Sequence, residues 1–295
     1  MPRHRGPRKP PASKKPPLTH FVCLPLVTKA SRSQLKDSVR KFTDLVIPKL
    51  QSSISVNGAE APVSSTTSTI HPKAIRPVGT LHCTLGVMSL NKLKLDEAVK
   101  CLQELDIASM LRKTNDNEAA PSDQGASTPD PLKIDLKGLV SMHSIESTSV
   151  LYAVPIDHSG RLQDFCLSIH AAFKERGLLV EEDRPLKLHA TIVNTVYAKG
   201  RKRPSPKISQ SSQPESSTAN EDRDDRSSGH GWRANATLKM DATAMLEQFK
   251  DFTWAQEVAL DRVAICEMGA KPIIDECGRI IDEEYMQFAT VALPT

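Results

Sequence analysis

Leu81-His82-Cys83-Thr84-Leu85 and Leu188-His189-Ala190-Thr191-Ile192 are two copies of one pattern, Leu-His-x-Thr-[Leu/Ile]. Each lies in a short apolar run of the kind that forms a strand. Each also closes a similar series. The first copy follows the strand-like Phe21-Val22-Cys23-Leu24-Pro25-Leu26 and a helical stretch. The second follows Val150-Leu151-Tyr152-Ala153-Val154-Pro155-Ile156 and another helical stretch. Both leading strands hold a late proline. The order strand, helix, strand therefore occurs twice, and an internal repeat of this kind decides the fold. Two such units build two lobes about a pseudo-twofold axis, with the motif strands facing each other across a cleft.

Residues i and i+2 of a strand share a face. His82 and Thr84 then point one way, and Cys83 and Leu85 the other. His189 and Thr191 point together likewise, with Ala190 and Ile192 behind them. Two imidazoles and two hydroxyls meet in one space, which suits phosphoryl chemistry. A neutral imidazole takes a proton from an attacking hydroxyl, and an imidazolium gives one to the leaving oxygen. An unperturbed pKa of about 6.5 makes both forms accessible near neutrality. Threonine hydroxyls donate to non-bridging phosphate oxygens. A single His-x-Thr occurs by chance in many chains; the weight comes from two copies at matching places in a repeat.

The other histidines (His4, His20, His71, His143, His158, His170 and His230) lack such a context and are read as surface or structural. No His/Cys/Asp/Glu cluster has metal-ligand spacing, so no metal and no cofactor are expected. Tyr197, beyond the second motif, is read as packing against its lobe, with base stacking as the alternative.

Outward from the motifs, strand and helix signals alternate. Strands are expected at His20–Val27, Leu81–Val87, Leu132–Val140, Val150–Ile156, Leu186–Val196, Val258–Met268 and Tyr285–Leu293. Pro25 suggests an edge or a bulge. The alternation in Leu-Lys-Ile-Asp-Leu-Lys makes the third a half-exposed strand. Helices are expected at Ser33–Leu50 with Ser33 as its cap, at Lys94–Leu105, Leu162–Phe173 and Ala242–Phe249.

The net charge of +4 divides unevenly. Residues 1–19 hold six basic residues, six prolines and no acid, leaving 33 basic and 35 acidic residues in the body. The body is therefore no basic nucleic-acid platform. Residues 1–18 form a disordered basic tail suited to nuclear import or to solubility. Ser/Thr-rich 51–75, polar 112–130 and the Ser- and charge-rich 199–233 have loop composition. The domain proper is 19–295. No run of about 18 uncharged apolar residues occurs, so no membrane span is expected. Nor does a secretory signal follow the basic start. The six cysteines, Cys23, Cys83, Cys101, Cys166, Cys266 and Cys277, form no Cys-x-x-Cys pair and read as reduced thiols.

The chain resembles the 2H phosphoesterase (LigT-like) superfamily at these residues. Within that superfamily it resembles the nuclear-localisation-signal domain of A-kinase anchor proteins, shared with subunit 1 of the activating signal cointegrator 1 complex. The matching stretches are His20-Phe-Val-Cys-Leu-Pro-Leu, Thr80-Leu-His-Cys-Thr-Leu-Gly-Val-Met, Leu132–Leu139 with Val150–Ile156, Lys187-Leu-His-Ala-Thr-Ile-Val-Asn-Thr and Val263-Ala-Ile-Cys-Glu-Met-Gly. The resemblance implies an α+β fold, with two pseudo-twofold-related lobes of antiparallel sheet and flanking helices around a central cleft. It implies metal-independent phosphodiester hydrolysis or transfer on RNA ends, cyclic phosphates, 2′,5′-linked oligonucleotides or small nucleotides. By motif, His82 and His189 become the acid/base pair, and Thr84 and Thr191 the phosphate holders. The other expectation is a non-catalytic nucleotide- or RNA-binding subunit of a transcription-coactivator or repair complex. The expected location is nucleus and/or cytoplasm. No Gly-x-x-Gly loop of a KH module occurs. No amphipathic anchoring helix follows the last strand, so kinase anchoring is not supported.

Overall fold

The computed structural model describes residues 16–47, 70–112, 129–181, 184–198 and 238–294. Ten strands run through them: β1 (His20–Pro25), β2 (His82–Met88), β3 (Lys133–Ser141), β4 (Val150–Ile156), β5 (Ala190–Asn194), β6 (Thr253–Ala259), β7 (Arg262–Glu267), β8 (Lys271–Ile274), β9 (Ile280–Glu284) and β10 (Gln287–Ala292). Five helices accompany them: α1 (Arg32–Val46), α2 (Lys92–Gln103), α3 (Ile107–Arg112), α4 (Leu162–Glu175) and α5 (Thr243–Gln248). The class is α+β, as the sequence implied.

Eight strands form one antiparallel sheet in the order β10-β7-β1-β2-β5-β4-β3-β6. It divides into two four-stranded halves at β2 and β5, which pair only through Cys83 and Ala190. The expected facing of the motif strands is thus corrected: they lie side by side in one sheet. Pseudo-twofold equivalents are β2 and β5, β1 and β4, β7 and β3, and β10 and β6. Both ends of the described chain build the first half, and the middle builds the second.

The alternation of side chains splits the sheet into two faces. Val22, Leu24, Cys83, Leu85, Ala190, Ile192, Val263 and Ile265 join the main core. Helix α1 follows β1 but packs on β6 of the other half, where buried Phe42 meets Phe249 at 4.9 Å and Trp254 at 5.2 Å. Helix α4 follows β4 but packs on β2, where His170 Nδ1 donates to Leu85 O at 2.7 Å. Each half is therefore covered by the other half's helix, and neither apolar face is closed alone. Trp254 Nε1 donates to Gly138 O at 2.7 Å, satisfying the one polar atom of this aromatic cluster. Gly138 occupies a bulge of β3 with φ +66°, where a Cβ would lie 2.8 Å from Lys250 O.

Several expectations change. The single strand expected at 258–268 is two strands, β6 and β7, on different halves of the sheet. The chain crosses between them at Leu260–Asp261, where Leu260 N bonds Leu132 O and Leu293 N bonds Asp261 O, each at 2.9 Å. No glycine or proline marks that crossing. Strand β3 is not half-exposed: it lies between β4 and β6, and Asp135 is buried. The Asp135 carboxylate accepts from Glu257 N at 2.9 Å and pairs with Lys137 at 3.0 Å and His158 at 3.2 Å. The Glu257 amide first, then hydrogen bonds from Lys137 and His158, hold its pKa down to about 2. Ser33 does not cap α1; Ser31 precedes it, its hydroxyl tied to Leu26 O and Thr28 N. Pro25 lies in an interior strand, past the end of the β7 pairing, and β1 carries a bulge at Val22/Cys23. Of the expected loop 51–75, residues 70–75 are ordered, with a 3₁₀ turn at Pro72–Ala74 and a bridge from Ile75 to Val193. The rest of that loop, residues 1–15, 113–128 and 199–237 lie outside the described residues. The six cysteines form no disulfide, and five are buried.

Phe42→Ala is expected to cost about 3–5 kcal/mol of unfolding free energy, the range for deleting a buried aromatic. Leu93→Ala, at a 79% exposed position, should stay within about 0.5 kcal/mol. Urea unfolding of both variants checks this, and comparable losses would place the core elsewhere.

Candidate active site

Extending the Cys83–Ala190 register by one residue each way sets His82 beside Thr191 and Thr84 beside His189. All four side chains are half-buried, while the alternate residues Cys83, Leu85, Ala190 and Ile192 are buried. The structure thus brings together the four residues that the repeat singled out. One detail differs. The second motif strand starts at Ala190, not Leu186, so His189 stands immediately before β5.

Both histidines are held alike. His82 Nδ1 lies 2.7 Å from Thr80 O, and His189 Nδ1 lies 2.7 Å from Lys187 O. In each case the partner is the carbonyl two residues earlier. A carbonyl only accepts, so Nδ1 carries a proton in both rings. Nε2 is then the nitrogen left for chemistry. His82 Nε2 lies 3.0 Å from Thr84 Oγ1, and with a neutral ring the hydroxyl is the donor.

Aromatic rings close in on His82. Phe21 is 4.8 Å away and Tyr285 5.2 Å, centroid to centroid. Burial lowers the His82 pKa to about 4 against the opposing pull of the Thr80 carbonyl, with smaller contributions from the Arg76 and His189 charges. Tyr152 stands edge-on to His189 at 5.4 Å, and Lys187 Nζ lies 4.9 Å from the Tyr152 ring centre.

Tyr285 reaches His82 from the link between β9 and β10. The β8–β9 hairpin that carries it is seated by Asp282, whose carboxylate accepts from Gly79 N at 3.1 and 3.2 Å. A Cβ on Gly79 would collide with Glu283 O, so only glycine admits the hairpin here. Burial first, then Tyr197, pushes the Tyr285 phenol up to about 12. Arg76 Nη2 donates to Tyr285 Oη at 3.4 Å, and its guanidinium lies 3.8 Å from the Tyr197 ring centre. Tyr197, expected to pack against its lobe, is instead 36% exposed, with the Arg76 guanidinium against its ring.

Arg76 and Tyr285 are the site residues that sequence reasoning missed. One signal was present: Arg-Pro precedes both motifs, as Arg76-Pro77 and Arg184-Pro185. The hairpin was legible too, since Ile273-Ile274 and Ile280-Ile281 flank an Asp-Glu-Cys-Gly turn. Among the described residues, no group of three or more His, Cys, Asp and Glu side chains could hold a metal ion. No helix there is long and apolar enough to cross a membrane.

The model of the AKAP7 2′5′ RNA ligase-like domain matches residues 18–283. The chain belongs to that family. The match spans both His-x-Thr motifs and strands β1 to β8, ends one residue before the end of β9 and leaves out β10. An uncharacterized protein of Schizosaccharomyces pombe (strain 972 / ATCC 24843) is 24% identical over 154 residues, 52% of this chain and 55% of that protein. The chain thus spans about half the length of the curated relative it matches. Two solved structures are also similar. Escherichia coli LigT complexed with 3′-AMP shares 12% identity with a TM-score of 0.43, covering 95% of this chain and 99% of that one. A structure titled as a phosphoesterase shares 13% with a TM-score of 0.41, at 95% and 99% coverage.

The lowered His82 pKa has a stability consequence. Between about pH 6.5 and 4 the unfolded chain binds a proton on this residue and the folded chain does not. Folding is therefore weakened as pH falls through that window. His82→Gln removes the titration, so its loss of melting temperature on acidification should be shallower than that of the wild type. Identical slopes in thermal scans would mean that His82 is fully solvated.

Proposed function

We propose that this chain is a metal-independent 2H phosphodiesterase. Its substrates are RNA ends, 2′,3′-cyclic phosphates, 2′,5′-linked oligonucleotides or small nucleotides. The observation that carries this is the matched anchoring of His82 and His189, each through Nδ1 to the carbonyl two residues back. It fixes two Nε2 atoms on one face of the sheet, flanked by two threonine hydroxyls.

The geometry also favours one division of labour. His82 is held neutral with Nε2 unprotonated, the form a general base requires. It takes the proton of the attacking water or ribose hydroxyl as the new P–O bond forms. His189, bearing the second proton of the pair, gives it to the leaving oxygen as the old P–O bond breaks. Thr84 occupies His82 Nε2 in the free protein. On substrate binding it turns its hydroxyl to a non-bridging oxygen, and Thr191 takes another. Both then hold charge that shifts in the transition state.

His82→Ala and His189→Ala are each expected to lower kcat by about 10²–10⁴-fold on 2′,3′-cyclic nucleotides or 2′,5′-linked oligoadenylate. Both sites are half-buried rather than sealed, so the variants should fold. The pH profile of kcat/KM should be a bell, its limbs belonging to the coupled pair rather than to either residue alone. The acid limb should fall below the ordinary histidine value because His82 is depressed. A rate rising steadily to high pH, or abolished by EDTA and restored by zinc or manganese, would sink the two-histidine mechanism. Tight nucleotide binding without turnover in every substrate class would mark a binding subunit instead.

Nuclear location and membership of a transcription-coactivator or repair assembly rest on the family resemblance and on the basic tail. A reporter fused to residues 1–18 is expected to concentrate in the nucleus. Uniform distribution by fluorescence microscopy would remove that assignment.

A further inference from the structure

Two arginines of the described chain are buried, and they differ in how their charge is met. Arg161 is 6% exposed and donates to Ser159 Oγ, Asp130 O and Pro131 O at 2.9–3.1 Å. Its fork is filled by fixed acceptors, as a structural arginine requires. Arg76 is 5% exposed, yet its side chain has one hydrogen bond, at 3.4 Å to the Tyr285 hydroxyl, and one stacking contact, on the Tyr197 ring. No carboxylate of the described residues pairs with it. A guanidinium out of water and without a counter-ion is costly unless an anion arrives to meet it.

Its placement fits that need. The Arg76 main chain donates to Ile192 O at 2.8 Å, and Ile75 bridges Val193, so the residue is pinned beside the strand that carries Thr191. Its guanidinium crosses to Tyr285, whose ring touches His82. Arg76 thus spans both halves of the sheet at the point where the two motifs converge. The flat Tyr197 ring and the Tyr285 hydroxyl fix the plane of the fork, leaving donors for a planar pair of oxygens.

We propose that Arg76 is the anion-holding residue of this site, its guanidinium taking oxygens of the nucleotide phosphate that lies between His82 and His189. The proposal rests on the phosphodiesterase reading and adds the group that selects for phosphate charge. The motifs offer no fixed cation for it, since threonine hydroxyls and a neutral His82 carry no charge and the proton of His189 departs with the leaving oxygen. Arg76 also acts on His82, because its charge opposes protonation of that imidazole. Once a phosphate neutralises the guanidinium, that opposition weakens and His82 becomes a stronger proton acceptor.

Calorimetric titration with inorganic phosphate, adenosine 5′-monophosphate and adenosine tests this, on wild type, Arg76→Met, Arg76→Lys and Tyr197→Leu. The expected result is a loss of about 10–100-fold in affinity for phosphate and the nucleotide in Arg76→Met, the size of a charged hydrogen-bonded contact. Adenosine affinity should stay unchanged in every variant. Arg76→Lys keeps the charge without the fork and should fall between. Tyr197→Leu frees the fork from its stack and should weaken phosphate binding less than Arg76→Met does. By NMR titration, the His82 pKa should rise in Arg76→Met and stay near the wild-type value in Arg76→Lys, whereas loss of packing around the ring would raise it in both. Phosphate affinity unchanged in a folded Arg76→Met, equal losses for nucleotide and adenosine, or no phosphate binding by the wild type up to millimolar concentration would each overturn the proposal. If Arg76→Met fails to fold, wild-type phosphate affinity in Arg76→Lys, which lacks the fork, does the same. Failure of the broader reading looks different: phosphate binding that depends on Arg76, but no turnover of any phosphodiester.

Discussion

Cys83 and Ala190 face each other where the two halves of the sheet meet, and the site hangs from that pair. It is the one residue pair through which β2 and β5 are joined in the ladder. Both side chains are small and buried against the helices. Their neighbours in sequence must therefore point to the other face, because successive residues of a strand alternate. The antiparallel register then crosses the motifs, setting each histidine beside the other copy's threonine. A one-residue slip of either strand at this junction would send its own histidine and threonine into the core.

The junction survives because the helices cross it. Each half of the sheet is covered by the helix that leaves the other half, so separating the halves would expose both apolar faces at once. Burying such surface is worth about 25 cal/mol per Å², and it is lost on both sides together. The weak single-pair contact between β2 and β5 is thus held by packing beneath it rather than by its own ladder. That frees the upper face near the motifs from the demand for continuous pairing. His189 can stand before its strand, with its Nδ1 on a loop carbonyl.

Charge at the site is arranged around one enclosed imidazole. Phe21 and Tyr285 shield the half-buried His82 from part of its water, while Arg76 and His189 oppose its protonation. The Thr80 carbonyl fixes which nitrogen keeps the proton. Enclosure and anchoring together yield an unprotonated Nε2 of defined direction. The hairpin is part of this, since Gly79 admits it and Asp282 seats it, and it delivers Tyr285 to the ring. The hydroxyl of the same tyrosine meets Arg76, so one side chain links the His82 ring to that guanidinium.

The sequence by itself determined the repeat, the four motif residues and the face each would take. Those properties are local: a period of two along a strand follows from backbone geometry whatever surrounds it. It also determined most helices and strands, because their apolar spacing is written within single elements. It could not show that residues 258–268 divide between two halves of the sheet, since no turn residue marks Leu260–Asp261 and only distant partners hold the crossing. Nor could it show that the motif strands are neighbours, because a repeat specifies two units but not their docking. Asp135 looked solvated from its alternating neighbours. It is buried because the Glu257 amide and His158, from other parts of the chain, join Lys137 of the same strand in meeting its carboxylate. The Arg-Pro pair and the hairpin were legible, but the place of Arg76 and Tyr285 at the site was not, for the same reason. They lie 209 residues apart, and their meeting at His82 is a consequence of tertiary packing alone.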